Sequence, residues 1–188
     1  MAERLPYLLS FITGQSDPRR HALSPEQAAF LSALPAPEEN KLRRNFPWRD
    51  ETPEHRETPL LPASYNNLSQ FFAAQRKNFA IRYRADLDAW ANRAEKHIVF
   101  AGSCGMELLR RLDPPEELWR RLQIFAYGPV WPVKPPCKVF AVLGRKDWIA
   151  RPLYGRGDAM VEANHLDYLQ KAEVLDLAKT FVQQATAR

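Results

Sequence analysis

Four short apolar runs, each ending at or just before a glycine, constrain this chain more than any other feature. They are Tyr7–Thr13 (YLLSFIT), His97–Gly102 (HIVFAG), Leu122–Tyr127 (LQIFAY) and Lys138–Leu143 (KVFAVL), with Gly14, Gly102, Gly128 and Gly144 closing them. Such runs do not alternate apolar with polar residues, so strands built from them need cover on both faces. Helical stretches lie between them. Strands alternating with helices argue for an α/β fold with a mostly parallel sheet.

The helical stretches carry their own signals. Ser24-Pro25-Glu26-Gln27 places a capping residue before a proline at the first helical position, with Gln27 positioned to complete a capping box. Pro35 and Pro37 end that helix near Leu34. A short second strand is expected within Leu42–Trp48. Pro47, Pro53, Pro59 and Pro62 mark an irregular segment up to about Ala63, with His55 a solvated loop residue. From Ser64, Leu68, Phe71, Phe72, Phe79, Tyr83, Leu87 and Trp90 recur at helical steps and predict a core-facing stripe. Arg76, Lys77, Arg82 and Arg84 fall mostly on or beside the opposite, solvated face. Gly105–Leu112 is a helix stopped by Asp113-Pro114-Pro115. A last short strand at Ala159–Ala163 precedes a helix from about Leu166 to Gln184.

Composition removes several classes of function. A chain of 188 residues, 45% hydrophobic and 26% charged, has room for one domain, taken here as residues 1–188, and is not a disordered one. No run approaches the ~20 apolar residues of a membrane span, and the N-terminus lacks the layout of a secretory signal, so a reducing, bacterial-type cytoplasm is expected. Cys104 and Cys137 make neither a disulfide scaffold nor, alone, a zinc site. His21, His55, His97 and His165 show no ligand spacing, so neither metal nor cofactor is expected. Gly14-Gln15-Ser16-Asp17 lacks the glycines and lysine of a phosphate loop. The net charge of +5 points to an acidic partner or substrate, and is evidence of nucleic-acid binding only where the charge is clustered.

Functional groups of an open parallel sheet gather beyond the carboxyl ends of its strands, and three such places hold reactive side chains. In Ala101-Gly102-Ser103-Cys104-Gly105, a nucleophile on the strand-to-helix turn needs small residues two before and two after it. Ser103 has Ala101 and Gly105 there; Cys104 would have Met106. Asp147 follows the strand that runs into Gly144, in competition with Asp113, Asp158 and Asp167. His165 precedes the final helix.

Serine, acid and histidine in that chain order resemble a small member of the α/β-hydrolase superfamily. The matching motifs are FAGSCGMELL, VFAVLGRKDWI and ANHLDYL. The resemblance implies a mostly parallel sheet of about six strands flanked by helices. Two leading strands are absent, and the short loop 128–136 replaces a lid. It assigns Ser103 as nucleophile, Asp147 as orienting acid and His165 as general base. The backbone N–H of Cys104 is one oxyanion donor, and that of Gly14 or Gln15 the second. Tyr127, Trp131 and Trp148 are acyl-pocket candidates or loop anchors. The activity implied is hydrolysis of a small-molecule ester or thioester, with an acidic acyl-carrier protein as the partner that the basic charge suggests. A non-catalytic interaction protein of the same fold, and a basic nucleic-acid-binding domain, are the alternatives.

Overall fold

A computed structural model describes residues 3–14, 22–48 and 78–187. Its centre is a six-stranded, entirely parallel sheet formed by β1 (Leu5–Ile12), β2 (Lys41–Asn45), β3 (Ala94–Gly102), β4 (Leu122–Tyr127), β5 (Lys138–Gly144) and β6 (Ala159–Val161). The strand order is β2-β1-β3-β4-β5-β6, so the direction of winding reverses once, beside β1 and β3. Crevices at such a reversal are where open α/β sheets hold their reactive groups.

The apolar runs supply both faces. Phe11, Phe100, Phe125 and Phe140 pair in register across four neighbouring strands, with successive ring centroids 5.5, 5.7 and 5.9 Å apart. One residue further on, Ile12, Ala101, Ala126 and Ala141 form the next row, which alternation places on the other face. The phenylalanine face is covered by α1 (Pro25–Ala33) and α6 (Ala172–Thr186), through Phe30, Leu31, Val174 and Phe181 among others. The alanine face takes α2 (Phe79–Ala91), α3 (Gly105–Arg111), α4 (Glu116–Trp119) and α5 (Ala150–Tyr154). Small alanines let the wider rings of α2 approach the sheet: Trp90 donates its indole N–H to Ser10 Oγ at 3.0 Å, and Phe46 stacks on it at 4.6 Å.

Several sequence expectations survive in detail. Ser24 Oγ accepts the Gln27 N–H at 3.2 Å while Gln27 returns its side-chain oxygen to the Ser24 N–H at 2.9 Å, which is the capping box. Phe79, Tyr83, Leu87 and Trp90 are all buried on α2. Others change. The final helix starts at Ala172, not near Leu166, because Tyr168–Gln170 form a 3-10 turn that sends the Tyr168 ring inward. The second strand stops at Asn45, short of Trp48, and the sixth at Val161, short of Ala163. The short helices α4 and α5 are too brief to show a period in the sequence. The expected helix start at Ser64, with Leu68, Phe71 and Phe72, lies outside the described residues, as do Arg76, Lys77, His21, His55 and Gln15. No helix among the described residues is long and apolar enough to cross a membrane. Gly128–Pro136 joins β4 to β5 without helix or strand.

Candidate active site

The turn between β3 and α3 has the conformation its sequence demands. Ser103 adopts φ 52°, a left-handed setting that an L-residue takes at a cost of about 1 kcal/mol or more. The turn is held from the β4 side: the Ser103 N–H donates to Tyr127 O and the Val130 N–H to Ser103 O, both at 3.2 Å. Helix α3 then passes so close to β1 that a Cβ on Gly105 would lie 2.0 Å from Ile12 O and 3.3 Å from Ala101 Cβ. That is the steric crowding which singled out Ser103 between two small neighbours. Cys104 is buried, and burial pushes its thiol up to about 11, so it stays protonated at neutral pH.

Ser103, His165 and Asp147 come together although 62 and 18 residues separate them in turn. Ser103 Oγ lies 3.2 Å from His165 Nε2, and His165 Nδ1 lies 2.9 Å from Asp147 Oδ2. Asp147 is fully buried at the end of β5. Its Oδ1 accepts the Ile149 N–H at 3.0 Å and the Ala150 N–H at 2.8 Å, from the cap residue and the first residue of α5. Its Oδ2 accepts the Tyr168 hydroxyl at 2.7 Å as well as His165. Burial alone would raise its pKa; hydrogen bonds from His165, the Ala150 amide and Tyr168 outweigh it and pull the pKa to about 2. The group is therefore a carboxylate that can only accept, which requires His165 Nδ1 to carry the proton. In the neutral imidazole Nε2 is then the acceptor, and the Ser103 hydroxyl donates to it.

The competing acids are occupied elsewhere. Asp158 accepts the Ala141 N–H at 2.7 Å, Asp167 caps the Asn164 N–H at 2.8 Å and pairs with Lys171 at 2.7 Å, and Asp113 ends α3 in a left-handed turn at φ 53°. Among the described residues no group of three His, Cys, Asp or Glu is placed to hold a metal ion.

At the β1 end of the site the structure adds residues that no sequence motif marked. The Thr13 N–H donates to Asn45 Oδ1 at 3.0 Å, and Asn45 Nδ2 returns to Thr13 Oγ1 at 2.9 Å. Trp48 Nε1 donates to Thr13 O at 2.8 Å, and Gln27 Nε2 donates to Thr13 Oγ1 at 3.2 Å. The Thr13-Gly14 turn is thus tied down by side chains from β2, its following turn and α1. Cys104 heads α3 as its cap residue, so its N–H belongs to the first turn of that helix.

The three pocket candidates sit in different surroundings. Tyr127 is buried, its ring edge-on to Phe11 at 6.4 Å and 6.0 Å from Tyr168, because it shares the parity of Phe125 and points to the phenylalanine face. Trp148 is 79% exposed, with the Arg151 guanidinium 5.8 Å from its ring. Asp147 turns inward at this loop, and its neighbour is left outside. Trp131 is half-buried in the β4–β5 loop.

No family model matches the chain, and no curated protein matches it in sequence. Solved structures do match it in shape. A dienelactone hydrolase from Anabaena variabilis superposes with a TM-score of 0.53 at 13% identity, covering 96% of this chain and 85% of its own. A protein of unknown function from Agrobacterium tumefaciens, described as an α/β-hydrolase, gives 0.50 at 12% identity, covering 97% and 87%. Together with the parallel six-stranded sheet, these likenesses show the architecture: the chain has the α/β-hydrolase fold.

Proposed function

We propose that the chain is a serine hydrolase cleaving a carboxylic ester or thioester through an acyl-enzyme on Ser103. The observation that carries this reading is the unbroken row Ser103–His165–Asp147, with a buried carboxylate at its far end. Ser103 Oγ bonds to the substrate carbonyl carbon as its proton passes to His165 Nε2. Asp147 keeps the imidazole in the required tautomer and stabilises its charged form. The Cys104 N–H is the donor for the oxyanion, a type of contact whose loss commonly costs about 3 kcal/mol of transition-state stabilisation. The alcohol or thiol leaves with the proton from Nε2. Water then repeats the sequence at the acyl carbon and releases the acid and free Ser103. A structural neighbour is named for hydrolysing a dienelactone, and a lactone is an internal ester.

The finer form of this reading takes the thioester of an acidic acyl-carrier protein as substrate. Arg145, Lys146, Arg151 and Arg156 are all exposed around the acid loop, beside exposed Trp148 and Ile149. Turnover of carrier-bound substrate then falls steeply with added salt; salt-independent rates remove the carrier from the scheme.

The test of the hydrolase is intact mass after fluorophosphonate treatment. Wild type gains a single adduct that Ser103→Ala does not. Folded wild type without an adduct replaces the hydrolase with a non-catalytic protein of the same fold.

A further inference from the structure

One buried group at the site has no part in the acyl-transfer scheme: the hydroxyl of Tyr168. It is part of an ordered relay. The Gly144 N–H, at the end of β5, donates to the Tyr168 oxygen at 2.7 Å, and the phenol proton is thereby directed to Asp147 Oδ2, also at 2.7 Å. Room for the ring comes from Gly128, where φ is 53° and a Cβ would lie 2.7 Å from Tyr168 Cε2 and 3.1 Å from Asp147 Oδ2. The 3-10 turn that delays α6 is what brings the tyrosine to this place.

We propose that Tyr168 is a positioning residue, whose hydroxyl fixes the Asp147 carboxylate and, by sharing Oδ2 with His165, sets the basicity of the imidazole. This rests on the hydrolase reading for its use in catalysis, but the clamp itself is independent of that reading. Four donors meet the carboxylate, two on each oxygen: Ile149 and Ala150 amides on Oδ1, Tyr168 and His165 on Oδ2. A donor that competes for Oδ2 drains electron density from it and weakens its hold on a charged imidazolium. Removing the phenol oxygen leaves Oδ2 to His165 alone, so His165 becomes more basic. At the same time the carboxylate loses the contact that fixes its orientation.

Among the described residues, these other titratable groups stand around the pair. Ser103 faces His165 from the elbow, Tyr127 stands 6.0 Å from the Tyr168 ring, and Asp167, neutralised by Lys171, acts on Tyr168 from its own turn. None of these lies between Tyr168 and Asp147.

The experiment compares wild type, Tyr168→Phe and a site-specific fluorotyrosine at 168, a stronger donor than tyrosine. Two readouts are taken: the NMR titration of His165 and the rate of fluorophosphonate labelling of Ser103. In Tyr168→Phe the His165 titration moves to higher pH and labelling slows about tenfold. With fluorotyrosine the titration moves to lower pH, a sign reversal that lost packing does not produce. A His165 titration unchanged in both variants overturns the clamp, whatever the probe does. If Tyr168→Phe fails to fold, the fluorotyrosine protein, which keeps the bond, carries the test by itself. A titration that moves as described in protein that never takes the probe leaves the clamp standing and overturns the hydrolase.

Discussion

His97 and His165 stand in opposite surroundings, one in the core and one at the candidate site. His165 is tied at both ring nitrogens, to Ser103 and to Asp147, and stays partly accessible. His97 is wholly buried on β3, its ring centroid 4.1 Å from that of Trp90, with Nε2 only 3.4 Å from Ala91 O and Nδ1 unpartnered. Burial, helped by nearby Arg121 and Arg93, pulls the His97 pKa to about 4. The contrast teaches what a carboxylate does for a histidine. With one, the ring is held in a single orientation; without one, burial merely keeps it neutral and makes it a liability in acid.

The largest effect should come from removing that carboxylate's charge. Asp147→Asn can no longer impose the Nδ1–H tautomer, and turnover of an activated ester should fall about 10⁴-fold. Initial rates against Ser103→Ala as a blank measure it; a loss under tenfold would mean that His165 does not depend on Asp147. The next effect lies on the other histidine and concerns stability. The folded pKa of His97 is depressed from 6.5 to about 4, so the unfolded chain binds a proton in that window and the folded one does not. Its contribution is fully present above pH 6.5 and is lost as pH falls to 4, about 3 kcal/mol in all. His97→Leu should remove this dependence and keep a paired Ala91 O, which the Arg121 guanidinium also reaches at 2.6 Å. Urea unfolding at pH 7 and pH 4.5 reads the difference; parallel losses in both proteins would place the acid sensitivity elsewhere.

How much of this was legible follows from the range of the physics involved. The Phe-Ala pairs in VFAG, IFAY and VFAV state the sheet's two faces outright, because strand periodicity is local. The same parity places Tyr127 on the face of Phe125. Ser103 was readable because the elbow's crowding depends on residues two positions away. Asp147 and His165 were readable only from their order behind Ser103. Tyr168 stood inside the ANHLDYL motif, yet no spacing distinguishes a core ring from a hydroxyl aimed at a buried acid 21 residues earlier. Asn45 and Trp48 hold the Thr13-Gly14 turn across more than 30 residues, which no local pattern encodes.

The smallest of the expected effects separates the two regions once more, by pH. Asp147, unlike His97, is a depressed acid: its pKa falls from 3.8 to about 2 as hydrogen bonds overcome its burial. The stability it confers is complete above pH 3.8 and disappears as pH drops to 2, about 2 kcal/mol. The His97 window closes near where the Asp147 window opens, so the two acid losses come in sequence. In a His97→Leu background the first loss is absent and the second remains. Adding Asp147→Asn then gives a protein less stable at pH 5, and the gap to its parent should narrow by about 2 kcal/mol by pH 2. A gap that stays constant from pH 5 to pH 2 would mean that the carboxylate is no better held in the folded chain than in the unfolded one. In that case the four hydrogen bonds to Asp147 contribute orientation alone, and the difference between the two histidines lies in geometry and not in charge.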